Sequence, residues 1–482
     1  MSCEMAPVYC LSASHLTASL SLLERISLEE NALPKLVLRL RNELRIQHEA
    51  CEVALLGTCN RLEIYWTEGV ASDLYRALTW QEGEGHSEPG TGAEARPLRQ
   101  GEGFEPVSLS AQATSGRSDG SSLVMRLLSE ATGVAEQDIR ASSVLISGSD
   151  ALLHLLRVAS GLESLVVGEH QILGQVEFAF SQSRAVGGSG EIMHAFANAA
   201  LRCGRRCRRQ TEIGRNPRDV STVAIQLAER LVGDLEGRQV VVVGVGEMGV
   251  LAVKSLSQRG VRSIAVVNRR IDAAQRVAER WGATAHSLNE LNSLIERADV
   301  VITSTSSRKA IISPQLVKEA VSLRRNRPLA LIDLSLPRNI DPLVSKIEGV
   351  QLFDLEGLRG VVDSAEADRA SSIPKSEEIV QEELILLRSS FGELAVRPVI
   401  SQLWKGAERT REELVADAKS RLQGLDAEQW QEIDRLTRLL TRKLLHAPSS
   451  RLRSETLNGH AVEFSAVFSE LFGLQAGPDA DL

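Results

Sequence analysis

Apolar positions in the first part of the chain follow two different periods. Residues 36–46 carry apolar side chains at helical spacing, whereas Val53–Leu56 and Leu62–Trp66 form short apolar runs. Such runs are typical of strands, and the turn Gly57–Asn60 between them completes a hairpin. Short strands mixed with amphipathic helices indicate an α+β domain, which we place at residues 1–215.

Helical spacing resumes near residues 124–128 and returns at residues 151–158. Asp150 stands where the second of these helices needs an N-cap, and Gly161 stands where that helix should end. After a loop, a further helix is expected to begin near Leu173.

Residues 82–122 interrupt these patterns. The segment contains eight glycines among many Ser, Glu, Pro and Thr residues, and almost no large apolar side chain. It cannot bury enough apolar surface to offset the entropy lost on ordering, so its composition predicts a mobile insertion.

Strands and helices alternate from about Ser221 onward. Apolar runs predict strands at residues 239–243, 263–267, 300–304 and 329–334, with helical segments between them. This alternation is typical of a parallel, doubly wound sheet of the Rossmann type, which we place at residues 216–362.

The remainder, residues 363–482, is strongly helical and charged, and its first part has few helix breakers apart from Pro374, Gly392 and Pro398. About 60 helical residues would extend for about 90 Å, too far to be buried in a compact domain. The pattern predicts a spinal helix or dimer strut over residues 363–425, kinked at Pro398, with a helical tail.

Composition limits the kind of protein. The chain has 482 residues, of which 43% are hydrophobic and 24% charged, so several globular domains are expected. No apolar run approaches the ~18 residues needed to span a bilayer, and no secretory signal is evident. Six cysteines do not make a disulfide framework in so long a chain, so we expect a cytoplasmic protein. Because no apolar run is long enough to span a bilayer, we also expect no membrane partner.

A net charge of −8 argues against a general nucleic-acid-binding protein, yet basic residues cluster twice. The first cluster consists of Arg202, Arg205, Arg206, Arg208 and Arg209, and the second of Arg435, Arg438, Arg442, Lys443, Arg451 and Arg453. Each cluster can bind a phosphate backbone or form a solvated helix face, and charge alone favours the solvated face.

Cys59 lies in the turn of the predicted hairpin, two residues before Arg61. A nearby cation lowers the pKa of a thiol and makes it more nucleophilic. Two interpretations remain open: a catalytic thiol, or a small buried apolar side chain. Arg61 is likewise a candidate to bind a substrate carboxylate or to form a surface ion pair with Glu63.

A glycine-rich loop follows the first strand of the Rossmann pattern and opens a helix, as a dinucleotide-binding loop does. It consists of Gly244, Val245, Gly246, Glu247, Met248 and Gly249. The next strand ends at Asn268, Arg269 and Arg270, where two arginines suit the 2′-phosphate of NADP or are ordinary surface residues. A reactive thiol combined with a hydride carrier suggests the reduction of a thioester.

Polar residues between these motifs have two interpretations as well. His154 falls on an apolar helix face, where a histidine is usually a core residue. A nearby stretch supplies donors and acceptors that could bind a ligand or cap a helix, namely Ser164, Glu169, Gln171 and Gln175. Cys203 and Cys207 lack a partner pair, so we expect no metal.

These motifs together resemble those of glutamyl-tRNA reductases. The matching stretches are Gly57–Glu63, His154–Ser164, Gly168–Val176, Gly244–Gly249, Asp333–Pro342 and Lys443–Pro448. The first and third stretches are highly specific, whereas the glycine-rich motif is not, and the resemblance extends over nearly the whole chain outside residues 82–122.

The resemblance implies a V-shaped homodimer with a catalytic domain, an NADPH-binding domain and a dimerisation domain along one spinal helix. It implies that Cys59 attacks the ester joining glutamate to tRNA(Glu), that tRNA leaves, and that NADPH reduces the resulting thioester to glutamate-1-semialdehyde. This reaction is the first step of tetrapyrrole biosynthesis by the five-carbon pathway. An open dimer also suggests a complex with glutamate-1-semialdehyde aminomutase.

The same resemblance assigns individual residues. His154 matches a histidine important for activity. The positions that match glutamyl recognition are Thr58, Asn60, Arg61, Ser164, Glu169, Gln171 and Gln175. His170 stands where the family usually has another residue, and we include it in the predicted recognition loop.

Two other functions compete with this interpretation. One is a non-catalytic dimeric scaffold that binds tRNA or the aminomutase, against which the intact cysteine and recognition set argue. The other is a small-molecule NADP dehydrogenase similar to shikimate dehydrogenase, against which the long spinal helix argues.

Overall fold

The computed structural model describes residues 8–28, 31–47, 50–58, 60–80, 120–214, 220–305, 307–324, 327–358, 372–422, 424–456 and 460–474. An antiparallel sheet comes first along the chain, a parallel sheet follows, and the described C-terminal residues are helical. This is the multidomain α/β architecture that the sequence predicts, with an α+β first domain and a Rossmann-type second domain.

The antiparallel sheet has the strand order β2-β3-β1-β4. Its strands are β1 (Val8–Ser14), β2 (Val53–Gly57), β3 (Arg61–Thr67) and β4 (Val144–Ser147). The surrounding helices are α1 (Leu20–Ile26), α2 (Leu33–Gln47), α3 (Ala71–Trp80), α4 (Gly120–Thr132), α5 (Glu136–Ala141), α6 (Ser149–Ser160), α7 (Gln171–Ala185) and α8 (Glu191–Gln210). Helices cover both faces of the sheet, so every residue of β1 and β3 is buried.

Glu52, just before β2, fixes the hairpin to the start of α8. Its carboxylate accepts hydrogen bonds from the backbone N–H groups of Gly190, Ile192 and Met193, at 2.8, 3.2 and 2.7 Å. The first N–H groups of a helix have no partner within the helix, so a carboxylate from another element satisfies them and complements the helix dipole.

The predicted N-cap at Asp150 is wrong. Helix α6 begins two residues earlier than predicted, at Ser149, and its N-cap is Gly148 with a φ of 62°. Gly148 donates its N–H to the carbonyl of Val8 at 2.8 Å, and this contact with β1 sets where the helix starts. The predicted end of the helix is confirmed, because Gly161 is the C-cap in the left-handed conformation.

The last residues of the predicted insertion are part of a helix. Gly120 and Ser121 are buried at the start of α4, and the Gly120 N–H donates to the carboxylate of Glu68 at 3.2 Å. A tertiary contact therefore starts the helix before the apolar pattern does. Residues 82–119 lie outside the described residues.

The parallel sheet has the order β10-β9-β8-β5-β6-β7, in which the two halves wind outward from β5 and β8. Its strands are β5 (Gln239–Val243), β6 (Ser263–Asn268), β7 (Thr284–Ser287), β8 (Val300–Thr303), β9 (Leu329–Asp333) and β10 (Val350–Phe353). The helices are α9 (Val220–Val232), α10 (Glu247–Gln258), α11 (Ile271–Trp281), α12 (Leu291–Arg297) and α13 (Pro314–Leu323). The sequence predicted β5, β6, β8 and β9, and it missed β7 and β10, which are short outer strands without a long apolar run.

The predicted spinal helix is present as α14 (Ile373–Arg421), a continuous helix of 49 residues. Helices α15 (Ala427–Ser454) and α16 (Ala461–Leu471) follow it. The first half of α14 belongs to the core of the first domain through Ile379, Val380 and Phe391, whereas the half beyond Leu403 is mostly exposed. The kink at Pro398 and the predicted domain boundaries stay predictions.

Gly392 breaks the helical pattern of the sequence without breaking the helix. A Cβ atom there would lie 2.7 Å from a side-chain atom of Thr456 and 2.8 Å from the ring of Tyr75. The Tyr75 hydroxyl donates to the carbonyl of Thr456 at 3.0 Å. Glycine therefore lets the first domain and the C-terminal tail meet on the spinal helix.

Within the described residues, no helix is both long enough and apolar enough to cross a membrane. The expected cytoplasmic location stays a prediction.

Candidate active site

The β2–β3 hairpin holds the residues on either side of Cys59, while Cys59 itself lies outside the described residues. Thr58 donates its N–H to the carbonyl of Arg61 at 2.9 Å, and its Oγ1 accepts from the N–H of Asn60 at 3.1 Å. The N–H of His15 donates to the carbonyl of Asn60 at 2.9 Å. Three hydrogen bonds therefore fix the two ends of the turn that carries the predicted nucleophile.

A buried carboxylate, Glu63, lies directly behind this turn. It accepts hydrogen bonds from Ser12 Oγ at 3.1 Å, Arg61 Nη1 at 2.8 Å and the Tyr65 hydroxyl at 2.6 Å, and its Oε1 is 2.9 Å from His154 Nε2. Burial acts to raise the pKa of Glu63, but the charges of His154 and Arg61 and these hydrogen bonds outweigh it and hold the pKa far below its usual range. Glu63 is therefore ionised.

Arg61 is committed to this buried network. Its side chain is only 2% exposed, and its second terminal nitrogen donates to the backbone carbonyl of Glu163. Burial lowers the pKa of Arg61, but Glu63, Tyr65 and Glu163 together outweigh burial and raise the pKa above its ordinary value. The surface ion pair considered from the sequence is wrong in one respect, because the pair with Glu63 exists but is buried.

His154 is neither a simple core residue nor fully exposed. Its side chain is 15% exposed, and Nε2 faces the ionised carboxylate of Glu63. In the neutral ring this carboxylate selects the tautomer with the proton on Nε2 and leaves the lone pair on Nδ1. No local pattern predicts this pairing, since Glu63 and His154 are 91 positions apart.

The predicted recognition loop folds back on itself between α6 and α7. The N–H of Gly168 donates to the carbonyl of Gly161 at 2.9 Å, and a Cβ on Gly161 would lie 3.1 Å from Gly168. Glu169 is buried, His170 is exposed and Gln175 is half-buried. Leu165 and Val166, in the same loop, pack into the core of the nucleotide-binding domain.

Two of the predicted recognition residues carry buried polar atoms that find no hydrogen-bond partner among the described residues. These atoms are Ser164 Oγ and Gln171 Nε2. Leaving a buried polar group unpaired costs about 1–3 kcal/mol, so such atoms are typical of sites that a ligand completes.

The first basic cluster has a structural role. Arg202 Nη2 lies 3.2 Å and Arg206 Nη1 2.9 Å from the buried carboxylate of Glu383 on α14. Arg208 donates to the carbonyls of Ala159 and Glu169, at 3.0 and 2.8 Å. The solvated-face interpretation fits Arg202, Arg205 and Arg209, which are exposed, while Arg206 and Arg208 are half-buried and bind protein groups.

The glycine-rich loop has the geometry that a pyrophosphate site needs. Gly244 has a φ of 101°, and a Cβ there would lie 2.1 Å from the carbonyl of Ser304. A Cβ on Gly249 would lie 2.2 Å from the carbonyl of Gly244, whereas one on Gly246 would lie no closer than 3.9 Å to any described residue outside its own turn. Two glycines are thus required by packing, and the third leaves open space at the N-terminus of α10, where a pyrophosphate can approach the backbone.

The end of β6 fits a phosphate-bearing ribose. Asn268 donates its side-chain amide to the carbonyl of Arg270 at 3.1 Å, which shapes the turn after the strand. Arg269 and Arg270 are exposed, and neither forms an ion pair with any residue in the described part of the chain. Two guanidinium groups are thus available where an acidic residue would bind the hydroxyl of NAD.

Two adjoining pockets connect the catalytic turn with the nucleotide-binding domain. The smaller, about 150 Å³, is lined by Thr58, Arg61 and, from the second domain, Leu336. The larger, about 550 Å³, is lined by Gln175, Phe178 and Glu247 of the glycine-rich loop. Both pockets share Leu28, Leu33 and Gly57. Ser164, Glu169, His170 and Gln171 line neither pocket.

Within the described residues, Cys10, Glu63 and His154 place potential metal-ligand atoms within 4.8 Å of one another. Glu63 already receives four hydrogen-bonding partners there, and the Arg61 cation beside it opposes a second cation. The expectation of no metal stays a prediction.

Comparisons with known proteins match three family models along the chain. Residues 11–211 match "Glutamyl-tRNAGlu reductase, N-terminal domain", and residues 375–474 match "Glutamyl-tRNAGlu reductase, dimerisation domain". Residues 226–361 match "Shikimate / quinate 5-dehydrogenase", a dehydrogenase model that coincides with the parallel sheet.

Whole-length relatives give the same result. A glutamyl-tRNA reductase of Desulfitobacterium hafniense is 32% identical over 466 residues, which cover 96% of this chain and 94% of that protein. One of Rubrobacter xylanophilus is 32% identical over 97% of both chains. Among solved structures, glutamyl-tRNA reductase from Methanopyrus kandleri is 25% identical, covers 96% of this chain and 99% of its own, and has a TM-score of 0.45.

Proposed function

The chain belongs to the glutamyl-tRNA reductase family, and on that premise we propose that Cys59 is its nucleophile and NADPH its hydride donor. The activity itself, reduction of glutamyl-tRNA as the first step of tetrapyrrole biosynthesis by the five-carbon pathway, follows from membership of the family. One observation carries the proposal: the cysteine turn and the glycine-rich loop line adjoining pockets that share Gly57.

In the first step the Cys59 thiolate attacks the ester carbonyl that joins glutamate to the 3′ end of tRNA. A carbon–sulfur bond forms, the carbon–oxygen bond to the ribose breaks, and the leaving oxygen takes a proton. We assign this transfer to His154: Nδ1 accepts the thiol proton of Cys59 as the thiolate forms and then delivers it to the leaving oxygen, because Glu63 holds Nε2 and leaves Nδ1 for proton transfer.

When bound, NADPH supplies the hydride for the second step, in which the thioester carbonyl becomes an aldehyde and the carbon–sulfur bond breaks to return the thiolate. Arg269 and Arg270 would hold the 2′-phosphate, and the loop Gly244–Gly249 the pyrophosphate. Their exposure and the open space beside Gly246 support this assignment.

Recognition of the glutamyl group is assigned to two sets of residues. Thr58 and Arg61 line the smaller pocket, and Asn60 holds the turn beside them. Ser164 and Gln171 offer buried polar atoms that a ligand would satisfy. Because Arg61 already bonds Glu63, a substrate carboxylate would share its guanidinium with that residue rather than capture an unpaired cation.

Glu169, His170 and Gln175 complete the predicted recognition set. Gln175 lines the larger pocket, whereas Glu169 is buried and His170 is exposed at the start of α7. Their assignment rests on the family resemblance more than on geometry.

We propose that the chain forms a homodimer through its dimerisation domain. Leucines 436, 440 and 444 recur on one side of α15 and are 59%, 56% and 63% exposed. A helix with such an exposed apolar stripe needs a partner, and a second copy of the same helix is the simplest one. A complex with glutamate-1-semialdehyde aminomutase stays a prediction.

The test is a single-turnover reaction of the purified protein with glutamyl-tRNA, with and without NADPH. We expect the wild type to form a thioester without NADPH and to convert it to the aldehyde when NADPH is added. Cys59→Ser should form no thioester and should not release tRNA. Cys51→Ala, which removes another thiol of the same domain, should behave like the wild type. Acylation of Cys59→Ser at the wild-type rate would overturn the assignment.

A further inference from the structure

One turn of the nucleotide-binding domain contacts the catalytic domain. This turn, residues 333–339, follows β9 and takes its shape from the buried carboxylate of Asp333. That carboxylate accepts hydrogen bonds from the backbone N–H groups of Ser335, Asn339 and Ile340 at 3.0, 2.7 and 2.8 Å. The turn therefore projects the residues between 335 and 339 in a fixed direction.

Arg338 extends from this turn to Glu24 on α1 of the catalytic domain. Its Nε lies 2.9 Å from Oε1 and its Nη2 3.2 Å from Oε2, and its backbone N–H donates to Oε1 at 2.7 Å. The two side chains are 22% and 18% exposed. A bidentate, partly desolvated pair with a third bond from the backbone is directional and much less screened than a surface ion pair.

The arginine is oriented by its own domain as well. Arg338 Nη1 lies 3.5 Å from Asp354 Oδ2, a residue just after β10. Glu24 therefore meets a guanidinium that is already held in position, which reduces the entropy lost when the two domains come together.

The contact continues on both sides of this pair. The N–H of Leu20 donates to the carboxylate of Glu356 at 3.0 Å, and the Leu20 side chain is buried in the core of the nucleotide-binding domain. Leu336 packs against the cores of both domains and lines the smaller pocket beside Thr58 and Arg61. The same turn thus forms the contact with Glu24 and one wall of the candidate catalytic pocket.

We propose that Arg338 and Glu24 are positioning residues for hydride transfer, which hold the nucleotide-binding domain against the pocket while the thioester exists. This inference rests on the proposed function, because it requires a thioester at Cys59. Neither residue lies among those proposed for acyl transfer, so the first step does not depend on the pair.

A thioester that waits for its hydride has a competing fate. Attack by water breaks the carbon–sulfur bond and gives glutamate, the thiol and no oxidised cofactor, whereas hydride transfer gives the aldehyde, the thiolate and NADP⁺. With the pair intact, Leu336 covers the pocket and the cofactor domain is in place, so reduction is favoured. Without the pair, a larger fraction of the thioester is hydrolysed to glutamate.

The experiment measures the ratio of semialdehyde to glutamate in a single turnover of glutamyl-tRNA at saturating NADPH. For Arg338→Gln and, separately, Glu24→Gln, we expect acylation without NADPH within about twofold of the wild type and a ratio at least about tenfold lower. The double exchange Glu24→Arg with Arg338→Glu should recover part of the ratio. The matched control is Arg259→Gln, whose Nη1 lies 2.7 and 2.8 Å from the two carboxylate oxygens of Glu229 within the nucleotide-binding domain.

Three outcomes separate the ideas. An unchanged ratio in both single variants, with normal acylation, overturns the positioning role. Loss of acylation in both single variants also overturns it, because the pair would then act on the whole site. Failure of the wild type to form any thioester would instead refute the proposed function.

Discussion

Nε2 of His154 lies 2.9 Å from Oε1 of Glu63, a carboxylate with no exposed side-chain surface. The same oxygen lies 2.8 Å from Arg61 Nη1. One buried anion thus sets the orientation of both the predicted proton-transfer residue and the predicted carboxylate-binding residue. Changes at Glu63 should therefore affect acyl transfer and substrate recognition together.

Replacing Glu63 with Gln should destabilise the protein as well as inactivate it. The amide keeps the volume but leaves Arg61 as a buried, uncompensated cation, which costs about 3–5 kcal/mol. Chemical denaturation monitored by circular dichroism would measure the loss in free energy of unfolding. Stability equal to that of the wild type would show that the pair is not buried as described.

The stability difference between wild type and Glu63→Gln should depend on pH in a defined direction. The pKa of Glu63 is lowered by folding, so its contribution is complete above the ordinary carboxyl pKa of 4.5 and is lost as the pH falls below it. Below that pH the difference should shrink by about 1.4 kcal/mol per pH unit. Denaturation curves of both proteins between pH 6 and pH 3.5 would show this, and a constant difference would contradict it.

Replacing His154 with Gln should slow thioester formation by about 100-fold or more, because the amide can still donate to Glu63 but cannot transfer a proton. Binding of NADPH should be unchanged, since His154 is remote in sequence from the glycine-rich loop and lines neither pocket. Single-turnover acylation and fluorescence titration would measure the two quantities. Acylation at the wild-type rate would remove His154 from the mechanism.

Replacing Arg269 and Arg270 with Ala should weaken NADPH binding by about 10- to 100-fold and leave NADH binding nearly unchanged, because only NADPH carries the 2′-phosphate. Arg262→Ala is the matched control, since Arg262 is also exposed but lies before the other end of β6. Equal losses for both cofactors would mean that the arginines act on the fold rather than on the phosphate.

Replacing Leu440 with Asp should shift the protein toward monomers, because it places a charge in the exposed apolar stripe of α15. Light scattering coupled to size-exclusion chromatography would measure the mass. Leu323→Asp, at a position 66% exposed on the nucleotide-binding domain, is the control and should leave the mass unchanged. A dimer that survives Leu440→Asp would place the interface elsewhere.

Local patterns in the sequence predicted those elements whose signals lie within a few residues. The hairpin around Cys59, the glycine-rich loop with its flanking strand and helix, and the spinal helix all have such signals. The start of α6 was misplaced because a contact between Gly148 and β1 determines it. The prediction of an N-cap from sequence assumes that only neighbouring residues determine where the helix starts.

The candidate site was predicted less completely for a similar reason. Cys59, Arg61 and His154 belong to recognisable motifs, but the role of Glu63 depends on which way β3 faces and on the approach of α6. For Arg202 and Arg206 the sequence left a phosphate-binding face or a solvated face, and neither anticipated their shared partner on α14, about 180 positions later. Pairing between distant segments leaves no trace in local charge patterns.

The buried carboxylate of Glu383 has a mechanical consequence for the spinal helix. Rotating or sliding α14 along α8 would pull this anion away from Arg202 and Arg206 and leave it buried without compensation, which is strongly unfavourable. The N-terminal half of α14 is therefore held rigidly against its domain. The angle between this domain and the helices that follow α14 can therefore change only by bending of α14 beyond Leu403, where most side chains are exposed to solvent.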